Sequence, residues 1–197
     1  MTVLKPLAYS WPIAILFWAA LLWVVAGELP LAIRDNRSGR APADRGSRQA
    51  VEALTAAGLF VAFFAAARVR DASIAFARLP LYLAGVALVV AGGLLRRHCF
   101  RMLGDSFTFA VRVAAGQTVV DRGAYRYVRH PSYTAGLLLF IGIGLALGNW
   151  ISLAAGVLPV FGYVYRIRIE EQALVDGLGA AYATYMKRTR RLIPFLC

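Results

Sequence analysis

The sequence has few charged residues, cysteines or histidines, and each shortage excludes a class of protein. Charged residues make up 16% of the 197 residues and hydrophobic residues 60%, which is too apolar for an ordinary soluble domain. Cys99 and Cys197 are too few and too far apart for a disulfide framework, and Cys197 is not placed for prenylation. His98 and His130 have no paired carboxylate or cysteine spacing around them, so no metal site is predicted.

Common catalytic fingerprints are also missing. Ser132 lies close to His130, but the chain has no Gly-x-Ser-x-Gly elbow, which argues against a serine hydrolase triad. No glycine pattern that cradles phosphate is present either. The glycines inside apolar runs, such as Gly85 and Gly142, are interpreted as sites of close helix packing.

Long apolar runs are what the sequence has in abundance. They cover residues 11–33, 51–67, 79–95, 131–147 and 150–165. A helix rises about 1.5 Å per residue and a bilayer core is about 30 Å thick, so these runs predict an all-α integral membrane protein with about five transmembrane helices. The first run is expected to be a retained span rather than a signal peptide. The short uncharged turn at 147–150 predicts that the last two spans form an antiparallel hairpin.

The positive charges predict the orientation in the membrane. The formal net charge is +12, and segments 34–49, 96–130 and 166–197 carry eighteen of the 22 Lys and Arg residues. The positive-inside rule therefore predicts an outside N-terminus and a cytoplasmic C-terminus. This basic excess favours contact with anionic membrane lipids and gives no reason to expect nucleic acid binding. We predict two parts: residues 1–95, three helices with a mobile basic cytoplasmic loop at 34–49, and residues 96–197, which carry the function.

The polar stretch GAYRYVRHPSYTAG, residues 123–136, directly precedes the fourth span. Pro131 suits the first turn of a helix, where its missing N–H costs nothing. One interpretation is an interfacial belt, with the tyrosines at headgroup depth and Arg126 and Arg129 as topology anchors. The other is a ligand site, which His130 and Tyr133 favour because helix N-termini suit anionic or polar ligands.

A second polar stretch, RIRIEEQAL, continues the fifth span. Arg166 and Glu170 are four residues apart, so they face the same way and form either a solvated ion pair or part of a ligand site. The ion pair is disfavoured because a base placed before an acid is the weaker order in a helix. Glu170 is the stronger ligand candidate and Glu171 the weaker one.

These motifs resemble the isoprenylcysteine carboxyl methyltransferases and their bacterial relatives, membrane enzymes of a superfamily that includes phospholipid N-methyltransferases. The resemblance covers residues 103–196 and lies in LGDSFTF, GQTVVDRGAYRYVRHPSY, RIRIEEQAL and LGAAYATYMKRTRRLIPF. It implies a cytoplasmic S-adenosylmethionine pocket, built by the loop before the fourth span and the C-terminal helix, with S-adenosylhomocysteine as product. The Arg-rich, Lys-poor composition is typical of a bacterium, so the expected location is the inner membrane.

The resemblance also implies particular site residues. Arg166 matches a catalytic arginine that faces the acceptor. The implied cofactor contacts are Arg112, Gln117, Thr118, Val119, Val120, Tyr125, His130, Pro131, Ser132, Tyr133 and Glu170. Two positions depart from the family pattern. Ala135 stands where glycine is usual, with Gly136 following it, and Phe107 replaces a frequent tryptophan.

The function that these residues predict is methyl transfer from S-adenosylmethionine to a lipophilic acceptor, most simply the carboxylate of an isoprenoid or lipid-like molecule. A carboxylate is ionised at neutral pH and needs no general base. An amine or a phenol would need one, for which Tyr133, His130 and Glu171 remain open choices. Two other classes also remain open: an NADPH-dependent reductase of the sterol-reductase type and a non-enzymatic lipid-binding scaffold. The sequence predicts neither the exact acceptor nor an oligomeric state.

Overall fold

The computed structural model describes residues 5–36, 44–104, 111 and 117–193, with the backbone alone for 31–36. Within these residues the fold is helical. The α-helices are α1 (Ala14–Asn36), α2 (Ser47–Arg68), α3 (Arg78–Leu103), α4 (Pro131–Leu147), α5 (Trp150–Ala155), α6 (Leu158–Leu178) and α7 (Ala180–Arg188). Short 3-10 turns lie before α1, between α2 and α3, and at residues 123–126.

The helices follow the predicted spans. α2, α3 and the Trp150–Leu178 segment formed by α5 and α6 are long and apolar enough to cross a bilayer, and Ala14–Pro30 of α1 and all of α4 are shorter apolar helices. Large apolar side chains point away from the protein: Leu22 is 66% exposed, Phe60 69% and Phe161 62%. Such a surface is stable where lipid rather than water surrounds it, and the predicted all-α membrane fold is confirmed.

The predicted hairpin after α4 is present, and its turn is fixed by one buried side chain. Gly148 ends α4 with a φ of +61°. The side chain of Asn149 accepts hydrogen bonds from the N–H groups of Ile151 (3.0 Å) and Ser152 (3.1 Å), which caps α5. Its amide nitrogen donates to the Val69 carbonyl at 2.8 Å, so the turn is also tied to the end of α2.

Helices α3 and α4 pack with their backbones in contact. A Cβ added to Gly85 would lie 2.5 Å from the Ala146 nitrogen and 2.6 Å from the Gly142 oxygen, so only glycine permits this approach. Ala135, the departure from the family pattern, is fully buried in the same interface, where its carbonyl approaches Gly92 of α3. The alanine is accommodated, and α3 thereby fixes the beginning of α4.

The end of the bundle where α1, α3 and α6 finish and α2 and α4 begin is called the polar end. The loop predicted over residues 34–49 is shorter there, because α1 continues to Asn36 and α2 begins at Ser47. Asp44 lies in this stretch, and its side chain accepts a hydrogen bond from the Arg48 N–H at the start of α2. The mobility of the loop stays a prediction. The predicted site residues on α4 and α6 lie at this same end.

Candidate functional site

The site begins at the first turn of α4. Pro131 occupies that turn, and His130 precedes it with a φ of −124°. Both side chains are buried, and the Tyr133 N–H donates to the His130 carbonyl at 3.1 Å. The Ser132 carbonyl accepts a hydrogen bond from Arg96 of α3 at 3.3 Å, and Arg96 is itself paired with Glu28 of α1. Three helices therefore hold this turn in place.

A chain of three polar side chains joins α4 to α6. The Arg166 Nε donates to the Tyr133 hydroxyl at 2.8 Å, and that hydroxyl donates to Glu170 Oε2 at 2.7 Å. Arg166 is only 6% exposed, whereas 31% of the Glu170 side chain is accessible. The predicted pair on one helix face is therefore bridged by a tyrosine, and it joins a buried cation to a carboxylate that a ligand can reach.

Asp44 and Ser47 approach Arg166 from the beginning of α2. Arg166 Nη1 donates to Asp44 Oδ1 at 3.1 Å and to the Ser47 hydroxyl at 3.2 Å. Burial acts to raise the pKa of Asp44, but hydrogen bonds from the Val111 and Arg48 N–H groups and the Ser47 hydroxyl, with the Arg166 charge, lower it. Asp44 is therefore an anion at neutral pH, so two carboxylates flank one guanidinium.

Glu171 belongs to a separate cluster, although it follows Glu170 directly. It is buried, and it accepts hydrogen bonds from Arg129 Nε at 2.8 Å and from Arg191 Nη2 at 2.9 Å. His130 Nε2 lies 3.3 Å from the same carboxylate. These contacts give Glu171 a structural role: they tie the C-terminal segment, residues 189–193, to the start of α4. Glu170 is then the carboxylate nearer to solvent.

The aromatic rings at the site follow one another from His130 to α6, each tilted against the next. The centroids of His130 and Tyr133 are 5.6 Å apart, and those of Tyr133 and Tyr163 are 4.9 Å apart. Tyr163 packs against Gly136, where an added Cβ would overlap its hydroxyl and lie 3.0 Å from its Cζ. Gly136 thus permits the close approach of α4 to Tyr163 of α6.

This contact predicts the effect of Gly136→Ala. The new methyl group should displace the Tyr163 ring, and the Tyr133 ring with it, at a cost of about 1–3 kcal/mol of stability. Removing the Tyr163 hydroxyl relieves most of the overlap, so the double variant Gly136→Ala/Tyr163→Phe should recover much of the lost melting temperature. Thermal unfolding in detergent measures both variants, and a Gly136→Ala protein as stable as wild type would contradict the packing described here.

Tyr125 is buried near Glu170, and its contact with a cofactor stays a prediction. Its carbonyl accepts a hydrogen bond from the Tyr185 hydroxyl of α7 at 2.6 Å. Burial, followed by the nearby Cys99 and Glu170, raises the pKa of the Tyr125 phenol far above its ordinary value, and burial raises that of Tyr185 to about 12. Both phenols stay protonated at neutral pH. Tyr127, by contrast, is 57% exposed, as an interfacial residue would be.

The other predicted cofactor residues lie in the segment before this turn. Residues 117–120 form no helix or strand, with Thr118 exposed and Gln117, Val119 and Val120 half-buried, and their contact with a cofactor stays a prediction. Arg112 and Phe107 lie outside the described residues. Within the described part of the chain, no group of three potential metal-binding side chains occurs.

The sequence motifs did not reveal Asp44 and Ser47. Both lie in a basic stretch far from the motifs, at a point where the sequence predicts a loop. The local signal is an acid placed just before a helix start, where carboxylates commonly accept backbone hydrogen bonds. That signal predicts a cap, but it does not predict that the carboxylate also binds Arg166, 122 positions away.

Together, the helical bundle and this cluster define a multi-pass membrane protein with a polar site at one end of its helices. A sequence profile of the phospholipid methyltransferase family matches residues 80–181, just over half of the chain. The chain belongs to that family. The match contains Tyr133, Arg166 and Glu170, and it leaves out Asp44 and Ser47.

Individual relatives support the resemblance found in the motifs. The chain is 30% identical over 115 residues to protein-S-isoprenylcysteine O-methyltransferase B of Arabidopsis thaliana, covering 57% of this chain and 58% of that protein. It is 32% identical over 120 residues to the Homo sapiens protein-S-isoprenylcysteine O-methyltransferase, covering 59% and 42%. The chain thus spans about half the length of the relatives it matches.

The fold is also similar to a solved structure, that of the eukaryotic intramembrane Ras methyltransferase named isoprenylcysteine carboxyl methyltransferase. The two share a TM-score of 0.61 at 24% sequence identity, over 74% of this chain and 52% of that one. At this identity the likeness establishes the membrane fold and nothing about the substrate. The predicted family resemblance is confirmed.

Proposed function

We propose that this protein is a membrane methyltransferase that transfers a methyl group from S-adenosylmethionine to a carboxylate of an isoprenoid or lipid-like acceptor. The observation that carries the proposal is the chain from Arg166 through the Tyr133 hydroxyl to Glu170. It joins a buried cation among the membrane helices to an accessible carboxylate at the polar end. We further propose that this end faces the cytoplasm, as the distribution of positive charge predicts.

The residues at the polar end fit a cationic nucleoside cofactor. Asp44 and Glu170 both act on the charge of Arg166, and negative charge at the site favours a ligand with positive charge. The rings of Tyr133 and Tyr163, tilted against each other, also favour a cation, because an aromatic face attracts positive charge. Glu170 would accept hydrogen bonds from the cofactor, and His130 would border it. When bound, S-adenosylmethionine supplies a methyl group on a positively charged sulfur.

Arg166 is the residue proposed to orient the acceptor. A guanidinium binds a carboxylate in a fixed, planar geometry, and burial strengthens that interaction because water competes less. Exclusion of water also favours the transfer itself, since a carboxylate and a cationic methyl donor lose charge as they react. A carboxylate acceptor requires no general base. Glu171, one candidate for that role, is instead engaged with Arg129 and Arg191.

A phospholipid methylated on its amine is the second candidate acceptor, because the matching family profile is described as phospholipid methyltransferase. Incubation with labelled methyl donor, followed by mass spectrometry, separates the two. A farnesylated N-acetylcysteine methylated on its carboxylate supports the first candidate. Methylation of phosphatidylethanolamine on nitrogen in its place supports the second and overturns the carboxylate proposal.

The cofactor is tested by calorimetry with S-adenosylhomocysteine on the purified protein. Wild type should bind, and Glu170→Ala and His130→Ala should each weaken binding at least ~10-fold, because each removes a polar partner in a partly dry site. Asp176→Ala is the matched control, since Asp176 is an exposed acid on the same helix. Its affinity should equal that of wild type.

Calorimetry with S-adenosylhomocysteine and, in a second titration, with NADPH distinguishes the other classes of function. Absence of binding by folded wild type contradicts the methyltransferase proposal. Retention of NADPH in its place indicates a reductase of the sterol-reductase type. If neither cofactor binds, the lipid-binding scaffold becomes the better explanation.

A further inference from the structure

We propose that Asp44 is a positioning residue for Arg166, so that the connection between the first two helices completes a site whose other parts lie in the family-matched region. The proposal deepens the proposed function and rests on it. Asp44 lies outside residues 80–181, which the family profile matches. Asp44 is far from Arg166 along the chain, and the folding of the helices brings the two side chains together.

Helix packing places Asp44 opposite Arg166. Gly162 of α6 packs against Val51 of α2, where an added Cβ would lie 3.1 Å from the Val51 Cα. One helical turn before Val51 lies Ser47, and one turn after Gly162 lies Arg166. The close contact therefore sets the beginning of α2 against the guanidinium.

The carboxylate is itself held rigidly. Asp44 Oδ1 accepts from the Ser47 hydroxyl at 3.0 Å and from the Val111 N–H at 3.3 Å, and Oδ2 accepts from the Arg48 N–H at 3.2 Å. With these partners around it, Asp44 is only 8% exposed as a whole residue. An anion fixed on three sides makes a precise anchor for a long, flexible side chain.

The two ends of the guanidinium have different partners. Nη1 is bound by Asp44 and Ser47, and Nε points to the Tyr133 hydroxyl. A planar guanidinium fixed at Nη1 has its Nε direction fixed too. Asp44 thereby aligns Arg166 with Tyr133 and Glu170.

The test measures methylation of farnesylated N-acetylcysteine by Asp44→Ala and Asp44→Asn in nanodiscs. Asp44→Ala should lower kcat about 10-fold or more, since small misplacements of a reacting group are costly, while the affinity for S-adenosylhomocysteine stays within about threefold. Asp44→Asn keeps one oxygen acceptor, which Ser47 and Val111 can share as they share Oδ1, and it should lie between wild type and Asp44→Ala. Glu52→Gln is the control, because Glu52 is an exposed acid on α2, the helix that Asp44 precedes, and it is paired with Arg48.

A double-mutant cycle separates positioning from general support of the fold. In an Arg166→Lys background, Asp44→Ala should have a much smaller effect on kcat, because both changes act on one group. Full additivity of the two effects overturns the proposal. So does an Asp44→Ala protein that turns over faster than wild type, which would mean that Asp44 competes with the acceptor. Wild type that binds S-adenosylhomocysteine but methylates neither test acceptor overturns the assigned acceptors and this inference with them, whereas failure of cofactor binding overturns the proposed function itself.

Discussion

Arg166→Ala should reduce kcat for the farnesylated acceptor at least ~100-fold, which corresponds to about 2.7 kcal/mol of transition-state stabilisation. The guanidinium is buried between Asp44 and the Tyr133 hydroxyl, so the substitution removes the positive charge that both groups contact. The affinity for S-adenosylhomocysteine should change far less, because Glu170 and His130 carry that interaction in the proposal. Steady-state kinetics and calorimetry on the same preparation measure the two effects.

Two further variants make this prediction specific. Arg168→Ala is the matched control, because Arg168 is exposed two residues along the same helix and should retain wild-type kcat. Arg166→Lys keeps the charge but loses the planar fork, so it should recover only a small part of the activity. If Arg166→Ala and Arg168→Ala have equal activity, Arg166 does not orient the acceptor.

Much of this site followed from the sequence, because its parts lie close together along the chain. Pro131 predicts a helix start, and the four-residue spacing predicts that Arg166 and Glu170 share a face. What the spacing does not contain is the neighbour from another helix. Tyr133 inserts its hydroxyl between Arg166 and Glu170, and only the packing of α4 against α6 determines that.

Arg129, Glu170 and Glu171 also have partners that sequence spacing does not predict. Consecutive residues on a helix point about 100° apart, so Glu170 and Glu171 meet different neighbours. Glu170 meets Tyr133, whereas Glu171 meets Arg129 and Arg191. Arg129 was one candidate for an interfacial anchor, but it is a nearly buried partner of Glu171, with 9% of its side chain exposed.

The C-terminal segment is held against the start of α4 by hydrogen bonds that lie next to the Glu171 cluster. The Arg129 N–H donates to the Arg190 carbonyl at 2.7 Å, and the His130 N–H donates to the Arg191 carbonyl at 3.0 Å. The Thr134 hydroxyl donates to the Leu192 carbonyl at 2.6 Å. The segment therefore runs alongside the residues that open α4, and Glu171 neutralises the charges where the two meet.

Glu171→Ala should therefore destabilise the protein by about 3–5 kcal/mol, since it leaves a buried charge without its partner. Arg191 is largely exposed and can regain water, but Arg129 cannot, so most of the cost falls on Arg129. Thermal unfolding measures the loss, and hydrogen exchange should show faster exchange at the amides of residues 189–193. Asp176→Asn, which alters an exposed acid bonded to Gln172 on the same helix, should leave both measurements unchanged.

Glu171→Gln distinguishes the charge from the hydrogen bonds. Glutamine keeps one oxygen acceptor for Arg129, so Glu171→Gln should lose less stability than Glu171→Ala. Hydrogen exchange at the amides of residues 189–193 should still become faster. Because His130 shares the Glu171 carboxylate, both variants should also weaken S-adenosylhomocysteine binding through the displaced start of α4. Unchanged exchange in Glu171→Ala would show that the segment is held by its backbone hydrogen bonds alone, and the charge cluster would then have no part in shaping the site.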